Sequence, residues 1–329
     1  MDRNLALNLI RVTEAAAIES AKFLGRGDKD GADEAAVAAM RKMFATVDID
    51  GTVVIGEGEM DEAPMLFIGE KVGQGEGHPK VDIAVDPVDG TISVAKGFNN
   101  AIAIIAMAPE GKLLHAPDMY MQKIAVGPRV KGKVGLDMPI PDILTQTAKA
   151  LGKPIDELTV TMLDRERHSN LVAICRDMGC RIKLIMDGDV AAAIDTCFPH
   201  TGIDIMLGSG GAPEGVLAAA AVKCLGGDFQ GRLIVEADHE CIRCQKMGVD
   251  PEQLLELEDL VSGEEVYFAA TGISDSNLLK GVIFESDNMA KTHSIVMRAE
   301  TGTIRFVEAI HNLNRKPYIY DSNSDSNNM

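Results

Sequence analysis

The stretch Val81-Asp-Ile-Ala-Val-Asp86-Pro-Val-Asp89-Gly-Thr91 decides how this chain is read. Val81 to Val85 is an apolar run, which predicts a short, mostly buried strand. Pro87 has no N–H for a ladder, so the strand is expected to stop there. The turn beyond it is rich in oxygen. Asp86 and Asp89 are carboxylates three residues apart, Gly90 lets a ligand approach the backbone, and Thr91 carries a hydroxyl. Hard divalent cations take several oxygen ligands, and a phosphoryl group is bound by metals and N–H donors. Taken alone, the same residues also suit an ordinary polar turn.

Working outward, a second stretch has the same form. Thr52 to Ile55 is a β-branched strand that runs into Gly56-Glu57-Gly58-Glu59. Glycines clear space around each carboxylate, which suits a metal ligand at a strand end. Upstream, apolar spacing predicts a helix over 5–23 and another over 32–44, separated by a Gly25–Lys29 loop. Asp33 is expected in the first turn of the second helix, where it would also complement the helix dipole.

The second half alternates strands and helices. Strands are expected at 158–163, 181–186 and 203–207, with helices after each, so a parallel, right-handed, doubly wound sheet is predicted. Each strand ends in a polar cluster: Asp164-Arg165-Glu166-Arg167-His168, Asp187-Gly188-Asp189, and Gly208 to Glu214. Open α/β sheets bind ligands on that edge. The glycine stretch lacks the third glycine of a dinucleotide loop and the Lys-Ser/Thr of a P-loop, but it places Glu214 at a helix start. Arg165 and Arg167 are candidates for a phosphate clamp, or else a solvated basic run. Strands are also expected at 266–270, 293–298 and 303–307. Domains are placed at 1–145 and 146–320, with a polar, disordered tail at 321–329.

Composition narrows the function. The chain has 329 residues and a net charge of −18, which disfavours nucleic acid and anionic membranes as partners. No apolar run has the length of a membrane span, and the N-terminal segment has helical spacing interrupted by Glu14 and Glu19, unlike a signal peptide. A cytoplasmic location is inferred. The six cysteines are read as reduced thiols, and Cys241-Ile-Arg-Cys244 as a plain pair on a helix. The seven histidines include none at a zinc-ligand spacing.

In combination the motifs are specific. Gly25 to Lys29 (GRGDK), Val54 to Leu66 (VIGEGEMDEAPML), Asp86 to Thr91 (DPVDGT), Ala116 to Lys123 (APDMYMQK), Asp187 to Val190 (DGDV) and Gly210 to Gly215 (GGAPEG) together resemble the class II fructose-1,6-bisphosphatases, from about Arg11 to His311. That family belongs to the lithium-sensitive sugar phosphatases. The resemblance implies an α/β fold of two layered domains, an αβαβα sandwich whose second domain is mostly parallel. It implies hydrolysis of the 1-phosphate of fructose 1,6-bisphosphate, with Mg2+ or Mn2+ bound by Asp33, Glu57, Asp86, Asp89 and Glu214, and Thr91 orienting the attacking water. Substrate contacts would fall on Asp89, Gly90, Thr91, Tyr120, Arg165, Glu166, Arg167, Asp187, Gly188, Asp189 and Gly211. The family also suggests homodimers or tetramers.

Two positions depart from the family pattern. Asp89 stands where glutamate is usual, and Glu166 where proline often separates the basic residues. Asp89 is also what inositol monophosphatases use, but their second motif begins with tryptophan, and this chain has none. Activity on sedoheptulose 1,7-bisphosphate, and a non-catalytic sugar-phosphate-binding role, are the remaining alternatives.

Overall fold

The computed structural model describes residues 5–58 and 65–316. The chain opens with helices α1 (Leu5–Ala21) and α2 (Lys29–Phe44). There follow β1 (Asp50–Ile55), β2 (Lys71–Gly73), β3 (Lys80–Asp89), the short helix α3 (Thr91–Lys96) and β4 (Ile102–Pro109). Next come β5 (Tyr120–Val126), α4 (Ile140–Leu151), β6 (Thr159–Leu163), α5 (Ser169–Asp177), β7 (Arg181–Ile185) and α6 (Asp189–Asp195). Then β8 (Ile205–Gly211), α7 (Ala212–Cys224), β9 (Asp228–Leu233), α8 (Asp238–Lys246) and α9 (Leu257–Leu260) precede β10 (Tyr267–Gly272). The described chain closes with β11 (Ile283–Glu285), β12 (Met289–Arg298) and β13 (Thr303–Asn312).

These strands form two sheets. One runs β11-β12-β10-β4-β3-β1-β2, with β13 also paired to β12; the other runs β7-β6-β8-β5-β9. Period-two alternation assigns each face to a different core. On β4, Ala103, Ile105 and Met107 pack with α1 and α2, whereas Ile102, Ile104, Ala106 and Ala108 face α6 and α7. The second sheet repeats the device. Met121, Ala125 and Met206 face α7, while Ile124, Val126, Ile205 and Leu207 face α4 and α5. The result is helix, sheet, helix, sheet, helix, which is the layered α/β arrangement expected. Helix α7 is apolar on all sides and lies between the sheets, so nearly all of it is buried.

In the second sheet β6, β7 and β8 are parallel, and β9 runs the same way, because β5 lies antiparallel between β8 and β9. Strand β5 is the exception because it enters directly from the first sheet after β4. Sheet membership therefore does not follow the expected division at residue 145. Strand β5 already belongs to the second sheet, and β10 to β13 return to the first. After β4 the chain turns, with the Lys112 N–H donating to the Pro109 carbonyl at 3.1 Å, and leads on to the second sheet.

Three local expectations change. Strand β3 does not stop at Pro87 but continues to Asp89 through a register shift against β4. A bulge is one of the few interior places where proline fits a sheet. Helix α2 begins at Lys29, not near residue 32, because the Asp28 carboxylate caps it by accepting from the Gly31 N–H at 2.9 Å. Asp33 thus sits beyond the first turn. Gly208 to Gly211 is not a loop but the end of β8, paired with β5 from Tyr120 to Lys123. The glycines make room for His168, Asp189 and Glu214, whose side chains press onto the strand. The tail at 321–329 and Glu59 lie outside the described residues.

Candidate active site

One cleft of about 350 Å³ collects carboxylates from four separate parts of the chain. Asp33 comes from α2, Glu57 from the loop after β1, Asp86 and Asp89 from the end of β3, and Glu214 from the first turn of α7. Each is held by local structure. The Glu57 N–H donates to the Leu66 carbonyl at 3.0 Å, and the Ile68 N–H to the Gly58 carbonyl at 2.9 Å, which ties the glycine loop to the segment behind it. Asp86 accepts from the Val88 N–H at 2.9 Å, a short-range bond that sets its carboxylate. Gly90 has φ of +107°, a conformation that disfavours other residues, and it starts α3 so that Thr91 is the helix's first residue. A Cβ on Gly211 would overlap the Glu214 carboxylate, so glycine there leaves that side chain its place.

The electrostatics follow from putting these acids together. Burial raises the Glu57 carboxyl pKa to about 9, with the charges of Asp33 and Asp86 adding to it. Burial first, and then neighbouring carboxylates, also push Asp86 and Asp89 well above the ordinary range. Asp33 is raised chiefly by burial, although a hydrogen bond with Glu57 opposes it. Such a cluster favours either protons or a cation.

The site fits a hard divalent cation on three counts. Every donor is a carboxylate oxygen. Asp89 Oδ2 and Glu214 Oε2 are buried with no hydrogen-bond partner. The acids repel one another, and a cation would relieve that. No three His, Cys, Asp or Glu among the described residues already stand in a ready coordination shell, so binding an ion would draw these side chains inward.

A model of the family described as bacterial fructose-1,6-bisphosphatase, glpX-encoded, matches residues 3–311. The chain belongs to this family. It is 49% identical to the fructose-1,6-bisphosphatase 1 class 2 of Escherichia coli (strain K12), over an alignment covering 96% of this chain and 97% of the relative. The class 2 fructose-1,6-bisphosphatases of E. coli O6:H1 and of Shigella flexneri match equally, at 49% identity over the same shares.

For a class 2 fructose-1,6-bisphosphatase the remaining expected contacts divide in two. Gly90, Thr91 and Asp187 line the carboxylate cleft. Asp187 is anchored there by the Ile92 N–H at 3.2 Å. Gly188 (φ +80°) begins α6, and a Cβ on it would come within 2.7 Å of the Asn100 carbonyl. Asp189 is buried next door. Tyr120 and Arg167 form a separate pair, the guanidinium 4.7 Å above the ring. Arg167 is aimed by Ser209, donating to its hydroxyl and its carbonyl, each at 2.9 Å. Arg165 turns back to the Asp164 carbonyl at 2.9 Å and lines a different recess with Glu166, which is exposed. These two do not join the cleft.

Motif reading passed over further residues in and around the bisphosphatase cleft. Asp118 and Arg243 line it. Lys123, fully buried, donates to Asp189 at 2.7 Å. His168 Nδ1 bonds the Leu163 carbonyl at 2.8 Å, and its Nε2 accepts from the Ser209 N–H at 2.9 Å, so the histidine steadies the residue that aims Arg167. Asp118 and Lys123 fall inside the Ala116–Lys123 motif, where only Tyr120 was singled out. Arg243 sits inside the Cys241–Cys244 pair, where the cysteines drew attention. That pair lies on α8, and Cys244 is buried with its Sγ 3.4 Å from Met119 Sδ.

Proposed function

We propose that this chain hydrolyses the 1-phosphate of fructose 1,6-bisphosphate to fructose 6-phosphate and phosphate, with Mg2+ or Mn2+. The observation that carries the reading is the convergence of Asp33, Glu57, Asp86, Asp89 and Glu214 on one cleft beside Thr91. The family match over most of the chain supports the substrate.

Asp33, Glu57, Asp86, Asp89 and Glu214 would hold the cations. Bound there, a divalent ion supplies charge neutralisation for the phosphoryl group and a more acidic water. Thr91, beside Asp89 and Gly90, orients the attacking water through its hydroxyl. The Gly90 backbone leaves room for the phosphoryl group to sit close. Asp187 and Asp189 accept hydrogen bonds from sugar hydroxyls. Arg167, with its guanidinium over the Tyr120 ring and fixed by Ser209, grips the distal 6-phosphate as a planar fork. Catalysis of this kind is mostly positioning and charge balance, with no covalent phospho-enzyme.

The place of the reaction is gluconeogenesis, in the cytoplasm, carried out by a homo-oligomer. No helix among the described residues is long and apolar enough to cross a membrane. The test is phosphate release from fructose 1,6-bisphosphate, sedoheptulose 1,7-bisphosphate and inositol monophosphate, each with Mn2+, Mg2+ or chelator. Metal-dependent release from fructose 1,6-bisphosphate is expected. Preference for inositol monophosphate, or no release with any metal, would overturn the reading.

A further inference from the structure

His168 is buried, only 5% exposed, although it directly follows the exposed Arg167. Both of its ring nitrogens meet backbone groups whose roles are fixed. The Leu163 carbonyl, 2.8 Å from Nδ1, can only accept, and the Ser209 N–H, 2.9 Å from Nε2, can only donate. The ring is therefore neutral, with its proton on Nδ1. An imidazolium would set a second N–H against that of Ser209. Burial is the largest influence on the ring and lowers its pKa; the bond to Leu163 opposes this, and the charges of Arg167 and Arg165 add to it. Strand β8 makes room for the ring. A Cβ on Gly208 would lie 3.0 Å from His168 Cε1, and the backbone there (φ +143°) disfavours any side chain.

Ser209 carries the effect onward. Its hydroxyl accepts from Arg167 Nε and its carbonyl from Arg167 Nη2, each at 2.9 Å. The hydroxyl proton can then turn to His168 Nε2, an acceptor in this tautomer and 3.1 Å away. The serine is thus held by the histidine at its N–H and Oγ, and holds the arginine through Oγ and the carbonyl. That leaves the Nη1 edge of the guanidinium, above the Tyr120 ring, for an anion.

We propose that His168 is a positioning residue for the distal phosphate: its neutral ring fixes Ser209, Ser209 fixes the plane of the Arg167 guanidinium, and this chain of contacts sets the preference for a sugar with a second phosphate. The inference rests on the distal-phosphate role proposed for Arg167. A ring that only filled space between β6 and β8 would make a different prediction, lost stability with both ends of the substrate affected alike.

The full-length protein separates these. Fructose 6-phosphate carries only the distal phosphate and fructose 1-phosphate only the reacting one. Each is titrated as a competitive inhibitor of fructose 1,6-bisphosphate hydrolysis, the first against phosphate release and the second against fructose 6-phosphate formation, alongside circular dichroism. The amide of His168→Gln reaches the place of Nε2 and can offer its oxygen to the Ser209 N–H; that of His168→Asn reaches only the place of Nδ1. His168→Asn is expected to raise the inhibition constant of fructose 6-phosphate about tenfold, the worth of one charge-assisted hydrogen bond. The constant for fructose 1-phosphate and the kcat for the bisphosphate should stay parental, and His168→Gln should restore the fructose 6-phosphate constant. An unchanged fructose 6-phosphate constant in folded His168→Asn, an equal rise in both constants, or no rescue by glutamine overturns the proposal. Ser209→Ala breaks the same chain of contacts with the ring intact and is expected to act in the same direction. If His168→Asn does not fold, a parental fructose 6-phosphate constant in Ser209→Ala overturns it instead. Arg167→Met serves as the control. If it leaves the fructose 6-phosphate constant unchanged, the distal-phosphate reading of Arg167 is itself wrong. If it raises that constant while His168→Asn does not, only the role of His168 falls.

Discussion

Asp86 and Asp89 lie on one strand on either side of a β-bulge, opposite Ile104 and Ile102, so three steps on β3 match two on β4. In a regular strand, residues three apart point to opposite faces. The extra residue brings both carboxylates to the same cleft. Bulges commonly re-aim side chains beside active sites.

Replacing one of these acids separates chemistry from folding. Asp86→Asn keeps an oxygen for the Val88 N–H and removes a charge that burial and Glu214 make unfavourable. Phosphate release from fructose 1,6-bisphosphate is expected to fall below detection, with a melting temperature equal to or above wild type in chelator. Turnover like wild type would end the assignment of Asp86.

Cation removal is expected to act on stability as well as rate. Chelator should abolish activity. Saturating Mn2+ should raise the melting temperature, since a ligand at about 100 times its Kd stabilises by about 2.7 kcal/mol. Differential scanning fluorimetry across a Mn2+ series is the measurement. The rise should vanish in Glu214→Gln, because the partnerless Glu214 Oε2 is a donor in this reading.

Gly211→Ala tests the close approach at the end of β8. The new Cβ would overlap the Glu214 carboxylate, while the backbone there (φ −63°) tolerates alanine. Far-UV circular dichroism should be unchanged. The Mn2+ concentration for half-maximal activity should rise by about tenfold, as expected when a ligand is displaced.

The distal grip should show in binding rather than in turnover. Arg167→Met loses the fork to Ser209 and the cation over Tyr120. The KM for fructose 1,6-bisphosphate should rise by about tenfold or more with a small change in kcat. A matching fall in kcat with unchanged KM would remove Arg167 from this role.

Acid stability should depend on His311. Its ring is buried, and burial, with Lys316 adding to it, lowers its pKa to about 4. Its Nε2 meets the Thr292 hydroxyl at 2.8 Å, and that hydroxyl donates to Glu14 at 3.2 Å. The unfolded chain takes up this proton near pH 6.5, whereas the folded chain resists until about pH 4. Stability therefore falls as pH drops through that window, by up to about 3 kcal/mol from this group. Urea unfolding at pH 7 and pH 4.5 should show a smaller acid loss in His311→Gln than in wild type.

Much of the site was legible in residue order. The strand-ending acid clusters, the alternation of strands and helices and the motif set were each local, and they singled out Asp33, Glu57, Asp86, Asp89 and Glu214, which the fold gathers along one cleft. What misled was also local. Pro87 ordinarily ends a strand, Gly208 to Gly211 ordinarily makes a loop, and Asp33 looked closer to the helix start than Asp28 permits. At Pro87 and the glycines a tertiary neighbour overrode the propensity: β4 opposite the bulge, and Glu214 and Asp189 pressing on β8. Lys123 and Arg243 had no signal of their own, since a single basic residue in an apolar or cysteine-bearing stretch reads as surface.

By itself, then, the sequence determined the residue types and their local setting: which turns carry oxygen, where glycine clears space, and which faces are apolar. Those depend on near neighbours along the chain. Only the tertiary structure decided that α2, the β1 loop, the β3 bulge and the start of α7 meet in one cleft. It also decided that a lysine on β5 lies buried beside an aspartate on α6. Side chains far apart along the chain acquire a shared field only when packing removes the water between them.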